Sequence, residues 1–566
     1  LFKDREVFAS AMKGLLEEPV VDCLWQRVGG ELSLGEFVMH AGECGVKRAS
    51  LDEFAGRVLA NAECVEAADF GEGFWIDHWT YNLDLVEAYY SVYPDRAADL
   101  FFENVYSFYD DAHYVNPRAV RYYIKDGKVY QGNFLEHNKK KESGIASRST
   151  LSRRLRYKGG QEVVYTNLIV KMLVLVCTRL STLDPFGRGI EMEAGKPGWC
   201  DALNGLPALL GSSLAETFEL KRLCRFMIDR LAEFEDKTVE MPPELYEFFV
   251  KLNALLKNKP AAFDFWQESN TLKEAYREQV FKGFSEQNEK VPVADIRAFC
   301  AEAVRRIDKG LKFLDKREDI PTFFINEVAE YVQEETAVRP LKFRQRELPL
   351  FLEGFVRAYK TVDKDSVGEK HAYVRKSPLY DKAIKMLKLN ASLDGESMEI
   401  GRARVFKPGW LENESIWLHM EYKYLLELIK AGCYDDFYRE LEHAFVCFLD
   451  PAMYGRSTLE NSSFIVSSAY VDKQVWGRGF VARLSGSTIE ALHVFLLMCL
   501  GPQPFATGDD GLYMTFAPAL KGEFFTASDN TFAFRLFGRT LVVYHNPSRM
   551  DTFSARAKIG SVKVAY

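Results

Sequence analysis

At 566 residues, 47% of them apolar, the chain is long enough to bury one large core with something smaller beside it. Its 73 basic and 81 acidic side chains leave a formal charge of −8, which argues against a non-specific polyanion binder and so against nucleic acid as a partner. Ten cysteines stand singly, with no CxxC pair and no His/Cys cluster, so reduced thiols, a cytoplasmic setting and no metal site are expected.

In chain order, residues 1–70 read as a helical lead-in, expected to be a linker from a missing N-terminal module. Next come aromatic residues interleaved with polar ones: Phe74, Trp75, Asp77, His78, Trp79 and Tyr81. Apolar sugar faces stack on such rings while sugar hydroxyls need polar partners, although most aromatics in any chain are core filler. The stretch from His137 to Gly160 holds Lys139, Lys140, Lys141, Arg148, Arg153, Arg154, Arg156 and Lys158. It reads as a solvated loop, with a basic rim that draws phosphate as the alternative. The apolar runs Leu168 to Cys177 and Ala491 to Leu500 are shorter than the roughly 20 residues that cross a bilayer, so buried helices and no membrane partner are expected.

Helical periodicity continues through Leu220 to Phe234, Glu244 to Leu256, Ala294 to Leu314 and Tyr422 to Ile429, which predicts an all-α body over 71–505. Within it, 242–368 is charged and free of site chemistry and reads as a helical elaboration. Helical hairpins set in a ring would gather Gly-, Pro- and Trp-rich loops at one end. Such loops recur at Gly73 to Asp77, Gly195 to Asn204, Lys407 to Asn413 and Gly477 to Thr488. From 506 to 566 apolar and polar residues alternate, as in Thr531 to Phe537 and Thr540 to Tyr544 around Phe537-Gly538, and predict a small C-terminal β domain.

The sharpest segment is Gly195-Lys-Pro-Gly-Trp-Cys-Asp201-Ala-Leu-Asn-Gly205, a loop that delivers an acid beside Trp199 and just before an apolar helix. A desolvated carboxyl there would stay protonated and could donate to a leaving oxygen. The same residue also fits a helix N-cap.

This segment resembles the Asp-Trp-Asn-Asp-Gly-Leu signature of cellobiose phosphorylases and their relatives, inverting glycoside phosphorylases in which the second Asp is the general acid. That position falls on Asp201. Lys407-Pro-Gly-Trp-Leu-Glu-Asn-Glu-Ser-Ile-Trp-Leu-His419 is similar to the family's Pro-Gly-Thr-Lys-Glu-Asn-Gly-Gly-Ile-Phe-Cys-His, which puts the phosphate-binding His on His419 and the Glu-Asn pair on Glu412 and Asn413. Arg483-Leu-Ser485-Gly486-Ser487-Thr488 stands where the family has a Thr-Gly-Thr-Ala-Gly phosphate loop. Asp77, His78, Trp79 and Asp84 lie near its sugar-binding segment. Arg456 and Glu460 are further candidates for lining the site, with helix capping as the alternative.

The resemblance implies an (α/α)6 helical toroid and an inverting phosphorolysis of a terminal β-glucosidic bond to α-glucose 1-phosphate, with no cofactor beyond phosphate as co-substrate. Inverting cleavage with phosphate as nucleophile needs a single essential protein carboxylate. His419, Arg483, Ser485, Ser487, Thr488 and the Gly486 backbone would hold the anion. The sequence departs from the family at Ser485-Gly486-Ser487, at Cys200 and at His78-Trp79, and it lacks the N-terminal β-sandwich. Wording around Tyr454-Gly-Arg-Ser and Gly479-Phe-Val-Ala-Arg-Leu-Ser-Gly-Ser-Thr is closer to relatives acting on β-1,3-gluco-oligosaccharides such as laminarin fragments. The rivals are an inverting β-glucan hydrolase, with Glu412, Glu414 or Glu460 as base, and a non-catalytic carbohydrate-binding subunit. For assembly, a homodimer and association with a missing N-terminal portion both stay open.

Overall fold

The computed structural model describes residues 2, 4–28, 32, 34–63, 78–148, 151–334, 337–481, 485–538 and 540–564. It is mostly helical, about 47% helix against 17% strand, and its sheets are small. The chain forms two compact units: Leu1–Glu72 with Tyr109–Ala112 and Asn138–Leu155, and Gly73–Phe108 with His113–His137 and Arg156–Tyr566.

In the first unit the helices Arg5–Met12, Glu18–Trp25, Leu34–Glu43 and Leu51–Asn61 bury one apolar face each. Phe8, Met12, Leu24, Phe37, Ala41 and Phe54 meet in a single cluster. Asp4 caps the first helix by accepting from the Val7 N–H, and Arg5 pairs with Glu18 and Asp22 on the second. Cys23 and Cys44 are bonded to each other across a sequence separation of 21, with Cα atoms 5.8 Å apart. The expectation of reduced thiols therefore fails for this pair, because the helices that carry them come together only in the fold. The expected basic loop is also corrected. Lys139–Ala146 is a helix capped by Asn138, Lys141 and Arg148 pair with the buried Asp110 at 2.8 and 2.7 Å, and Arg153 pairs with Glu142. These three cations neutralise local carboxylates, while Lys139 and Lys140 are exposed on the helix.

In the second unit five helices, Leu168–Leu180, Leu214–Arg230, Leu352–Tyr359, Leu418–Ala431 and Ser485–Leu500, pack each against the next in chain order. Asn167 and Ser213 cap the first two through the N–H groups of Val170 and Glu216. The 242–368 region, expected to be helical, also contains a long hairpin, Phe323–Gln333 with Val338–Glu347. This hairpin extends Gly211–Ser213 and Ile190–Glu191 into a four-stranded antiparallel sheet. Its β-branched and aromatic residues alternate with charges, a period of two hidden by high charge density. After the last helix the chain makes two hairpins, Phe505–Gly508 with Gly511–Met514 and Thr531–Leu536 with Thr540–His545. The second turns at Phe537-Gly538, both with positive φ, and packs Phe534 and Leu536 on Cys499 and Leu500. No helix among the described residues is long and apolar enough to cross a membrane.

Candidate functional site

The loop that delivers Asp201 is anchored at its start by Glu193. This buried carboxylate is paired with Arg121, Lys273 and Arg277 at 3.4, 2.7 and 2.8 Å, which hold it well below the usual range despite its burial. The backbone then bends through positive φ at Ala194, Gly195 and Gly198 and buries Trp199. Asp201 opens a 3₁₀ turn, Asp201–Leu203, with Cys200 at the N-cap position. The turn's Ala202 N–H donates to Glu412 at 2.7 Å, so the capping role that competed for Asp201 is filled by a different acid. Beyond the turn, Asn204 accepts from Arg402 N at 3.0 Å, and a Cβ on Gly205 would collide with the Glu399 carbonyl oxygen. Burial pushes the Glu412 carboxyl up, against the Ala202 N–H and Arg402. Burial also raises the Cys200 thiol, together with Glu412, Glu353 and Asp201, so Cys200 is an apolar filler here.

The second loop is locked by its own backbone. Gly409 lies against Tyr470 with φ +81°, and Trp410 stacks on Phe480 at 3.9 Å. Asn413 donates to the Phe406 carbonyl at 2.7 Å. The loop ends in the strand Ile416–Trp417, which pairs with Phe464–Ile465, itself paired with Gly479–Phe480. This small sheet fixes Ser463, whose N–H donates to the Val481 carbonyl and whose carbonyl accepts from Leu418 N. His419 follows in the first turn of Leu418–Ala431.

The third segment, Ser485-Gly486-Ser487-Thr488, is the first turn of Ser485–Leu500. Gly486 is needed there because a Cβ would reach 2.7 Å from His419 Nδ1. Ser487 is buried and donates to the Ser462 carbonyl at 3.4 Å; Thr488 is exposed and accepts from Asn461 at 3.4 Å.

Between these pieces lies a cavity of about 200 Å³ lined by Trp417, His419, Ser463, Gly486 and Ser487. Trp199 packs on two of these residues, its ring 4.2 Å from Trp417 and 5.9 Å from His419. Ser463 is 1% exposed, and its hydroxyl has no hydrogen-bond partner among the described residues. A buried, unpaired hydroxyl on a residue that lines a cavity is a candidate donor for a ligand. The dipole of the Ser485–Leu500 N-terminus favours an anion in the same place.

Behind His419 is a layer of paired charge. Glu490 lies 2.6 Å from Lys423 and 3.4 Å from His419 Nε2. Glu219, fully buried, pairs with Arg222, Arg357 and Lys360 at 2.9, 2.9 and 2.8 Å. Asp84 pairs with Arg222 at 2.5 Å and lies 3.9 Å from Lys423. Burial pushes the Asp84 carboxyl up, but Lys360, Arg222 and Lys423 outweigh it and hold it well below the carboxylate range.

Of the residues expected from sequence, His419, Gly486 and Ser487 line the cavity and Trp199 packs on His419, with Asp201 two residues beyond Trp199 in the same loop. Asp84 belongs to the charge layer. Glu412 and Asn413 brace loops. Arg456 and Glu460 pair with each other at 3.1 Å near the surface. His78 is exposed at the start of its helix, and Trp79 is buried beside it. Asp77 and Arg483 lie outside the described residues, as does the side chain of Ser485. Ser463, Lys423 and Glu490 escaped the sequence reading. The signal for Glu490 is a lone carboxylate inside an otherwise apolar helix, which must find a partner; Lys423, in a helix that also carries Glu421, Glu427 and Lys430, gives none. No protein-family model matches the chain, and no curated protein sequence matches it.

Proposed function

We propose that the chain is an inverting glycoside phosphorylase that cleaves a terminal β-glucosyl residue from a gluco-oligosaccharide, β-1,3-linked by preference, and yields α-glucose 1-phosphate. Asp201 protonates the leaving oxygen, while His419, Gly486, Ser487 and Ser463 hold phosphate on the opposite face of the sugar ring. The observation that carries this reading is the cavity lined by His419, Ser463, Gly486 and Ser487, with the tryptophan of the Asp201 loop packed on His419. The five helices packed in chain order support an (α/α)6 toroid as the scaffold.

A hydrolase would need a second carboxylate free to activate water, roughly 6.5 to 9.5 Å from the acid. The three candidates are otherwise engaged: Glu412 by Ala202 N–H, Glu414 by Lys388 at 2.6 Å and Glu460 by Arg456. That favours phosphate as the nucleophile.

The test is incubation with β-linked gluco-oligosaccharides with and without inorganic phosphate, scoring glucose 1-phosphate, alongside the reverse reaction from glucose 1-phosphate. Product that forms only with phosphate, and a loss of about 10²- to 10⁴-fold in Asp201→Asn, is the expected result. Equal sugar release without phosphate would turn the assignment to a hydrolase. Binding without turnover in either direction, unaffected by Asp201→Asn, would leave a carbohydrate-binding subunit.

A further inference from the structure

Two buried charges stand behind the cavity without lining it, one of them against His419. Glu490 sits in the apolar helix Ser485–Leu500 and Lys423 in the buried helix Leu418–Ala431. Charges in such places are costly unless paired, and these two pair with each other at 2.6 Å. The same Glu490 oxygen lies 3.4 Å from Nε2 of His419. The opposite ring nitrogen, Nδ1, faces Gly486 on the cavity wall. Tyr81 lies parallel to the imidazole at 6.4 Å and Trp199 meets it edge-on at 5.9 Å, so the ring is held on several sides.

A carboxylate beside one imidazole nitrogen keeps the proton there and sets the tautomer. We propose that Glu490 is a positioning residue that holds the His419 proton on Nε2 and turns the Nδ1 lone pair to the cavity, so that a phosphate dianion binds with uptake of one proton. The idea rests on the phosphate reading of the cavity and names the protonation state in which that ligand is taken. The proton joins Nδ1, making an imidazolium that donates to a phosphate oxygen; donation to a neutral Nδ1 by the P–O–H that the dianion already carries would take up none, and zero uptake in the native chain would overturn the proposal.

Charged and titratable groups face His419 from four elements: Glu490 from Ser485–Leu500, Lys423 from its own helix, Arg357 from Leu352–Tyr359 and Tyr81 from His78–Val92. Burial lowers the imidazole below its usual 6.5; Glu490 opposes this, and Lys423 and Arg357 add to it, which favours the neutral ring in the free site. Despite its burial, Glu490 is itself held down to about 2 by His419 and Lys423, and it remains an acceptor throughout.

The experiment uses the full chain labelled with ¹⁵N-histidine, with His419 assigned by its loss in His419→Gln. Nε2–H in the ligand-free protein is expected; an Nδ1–H tautomer would overturn the proposal whether or not phosphate binds. Calorimetry of inorganic phosphate binding in buffers of different ionisation enthalpy then reads the protons taken up near pH 7.5. About one is expected for the native chain. In Glu490→Gln, phosphate affinity should fall about tenfold and its decline should shift to lower pH, because removing the carboxylate lowers the imidazole further. Unchanged proton uptake, affinity and pH profile in a folded Glu490→Gln protein would overturn the proposal. If that variant fails to fold, the tautomer of the native chain still decides. An absence of phosphate binding with Nε2–H intact would instead sink the phosphorylase reading alone.

Discussion

Ser463 separates binding from stability more cleanly than any other side chain at the cavity. Its backbone is engaged on both sides by the small sheet, but its buried hydroxyl has no partner among the described residues. Replacing a satisfied buried donor costs about 1–3 kcal/mol, whereas removing an unsatisfied one should cost the fold nothing. Ser463→Ala is therefore expected to keep its melting temperature and raise the KM for phosphate several-fold, with kcat changing less. Steady-state kinetics with varied phosphate and a thermal melt check this. A fall in melting temperature with unchanged KM would mean that the hydroxyl serves the protein rather than the ligand. Sequence could not single out Ser463, because Ser462-Ser463 before Phe464-Ile465 reads as a strand entry and gives no sign of which serine faces inward.

At the scale of elements, the cavity exists because a three-strand sheet and the first turns of two helices converge within a few residues of one another. The Ser485–Leu500 helix can approach Leu418–Ala431 at its start only because residue 486 has no side chain. In Gly486→Ala the new methyl would meet His419 Nδ1 and must displace the ring or the turn. The expected outcome is loss of phosphate binding, read by calorimetry, with a melting temperature lowered modestly because the clash lies against a movable ring. Unaltered phosphate affinity would remove the Ser-Gly-Ser turn from the site. The turn and the Trp199 loop were legible as Gly- and Ser-rich punctuation before apolar helices. Their convergence with Phe464-Ile465 was not, since it depends on strand pairs between residues some fifty positions apart in sequence, Trp417 with Phe464. The Phe323–Gln333 hairpin was missed for a related reason: dense charge masked its alternation.

Across the whole chain, paired charge fills much of the interior of the second unit, as at Glu193 and Glu219. Depressed carboxylates such as Glu490, at about 2, add stability above the unfolded value of 4.5 and lose it as pH falls toward 2. Glu421 behaves in the opposite sense. Fully buried, and accepting from Leu387 N at 2.8 Å, its carboxyl is pushed up to about 8. The folded protein therefore binds that proton more tightly than the unfolded chain, so the contribution is whole below 4.5 and is lost as pH rises toward 8. Glu421→Gln keeps an acceptor for Leu387 N and cannot ionise, so its stability should decline less between about pH 5 and about pH 9. Denaturant midpoints across that range check this; parallel curves for the two proteins would refute it. The helical character of the chain was readable from periodicity, but none of these networks was, because each joins residues far apart in sequence.

The Cys23–Cys44 bond ties two helices of a small core that has its own apolar cluster. Cutting it with a thiol reagent frees the denatured ensemble of that portion by about 3 kcal/mol on the chain-entropy account. Scanning calorimetry should then show one endotherm sliding to lower temperature under reductant while another, belonging to the second unit, stays in place. Heat tolerance of that portion thus becomes a property of its redox surroundings.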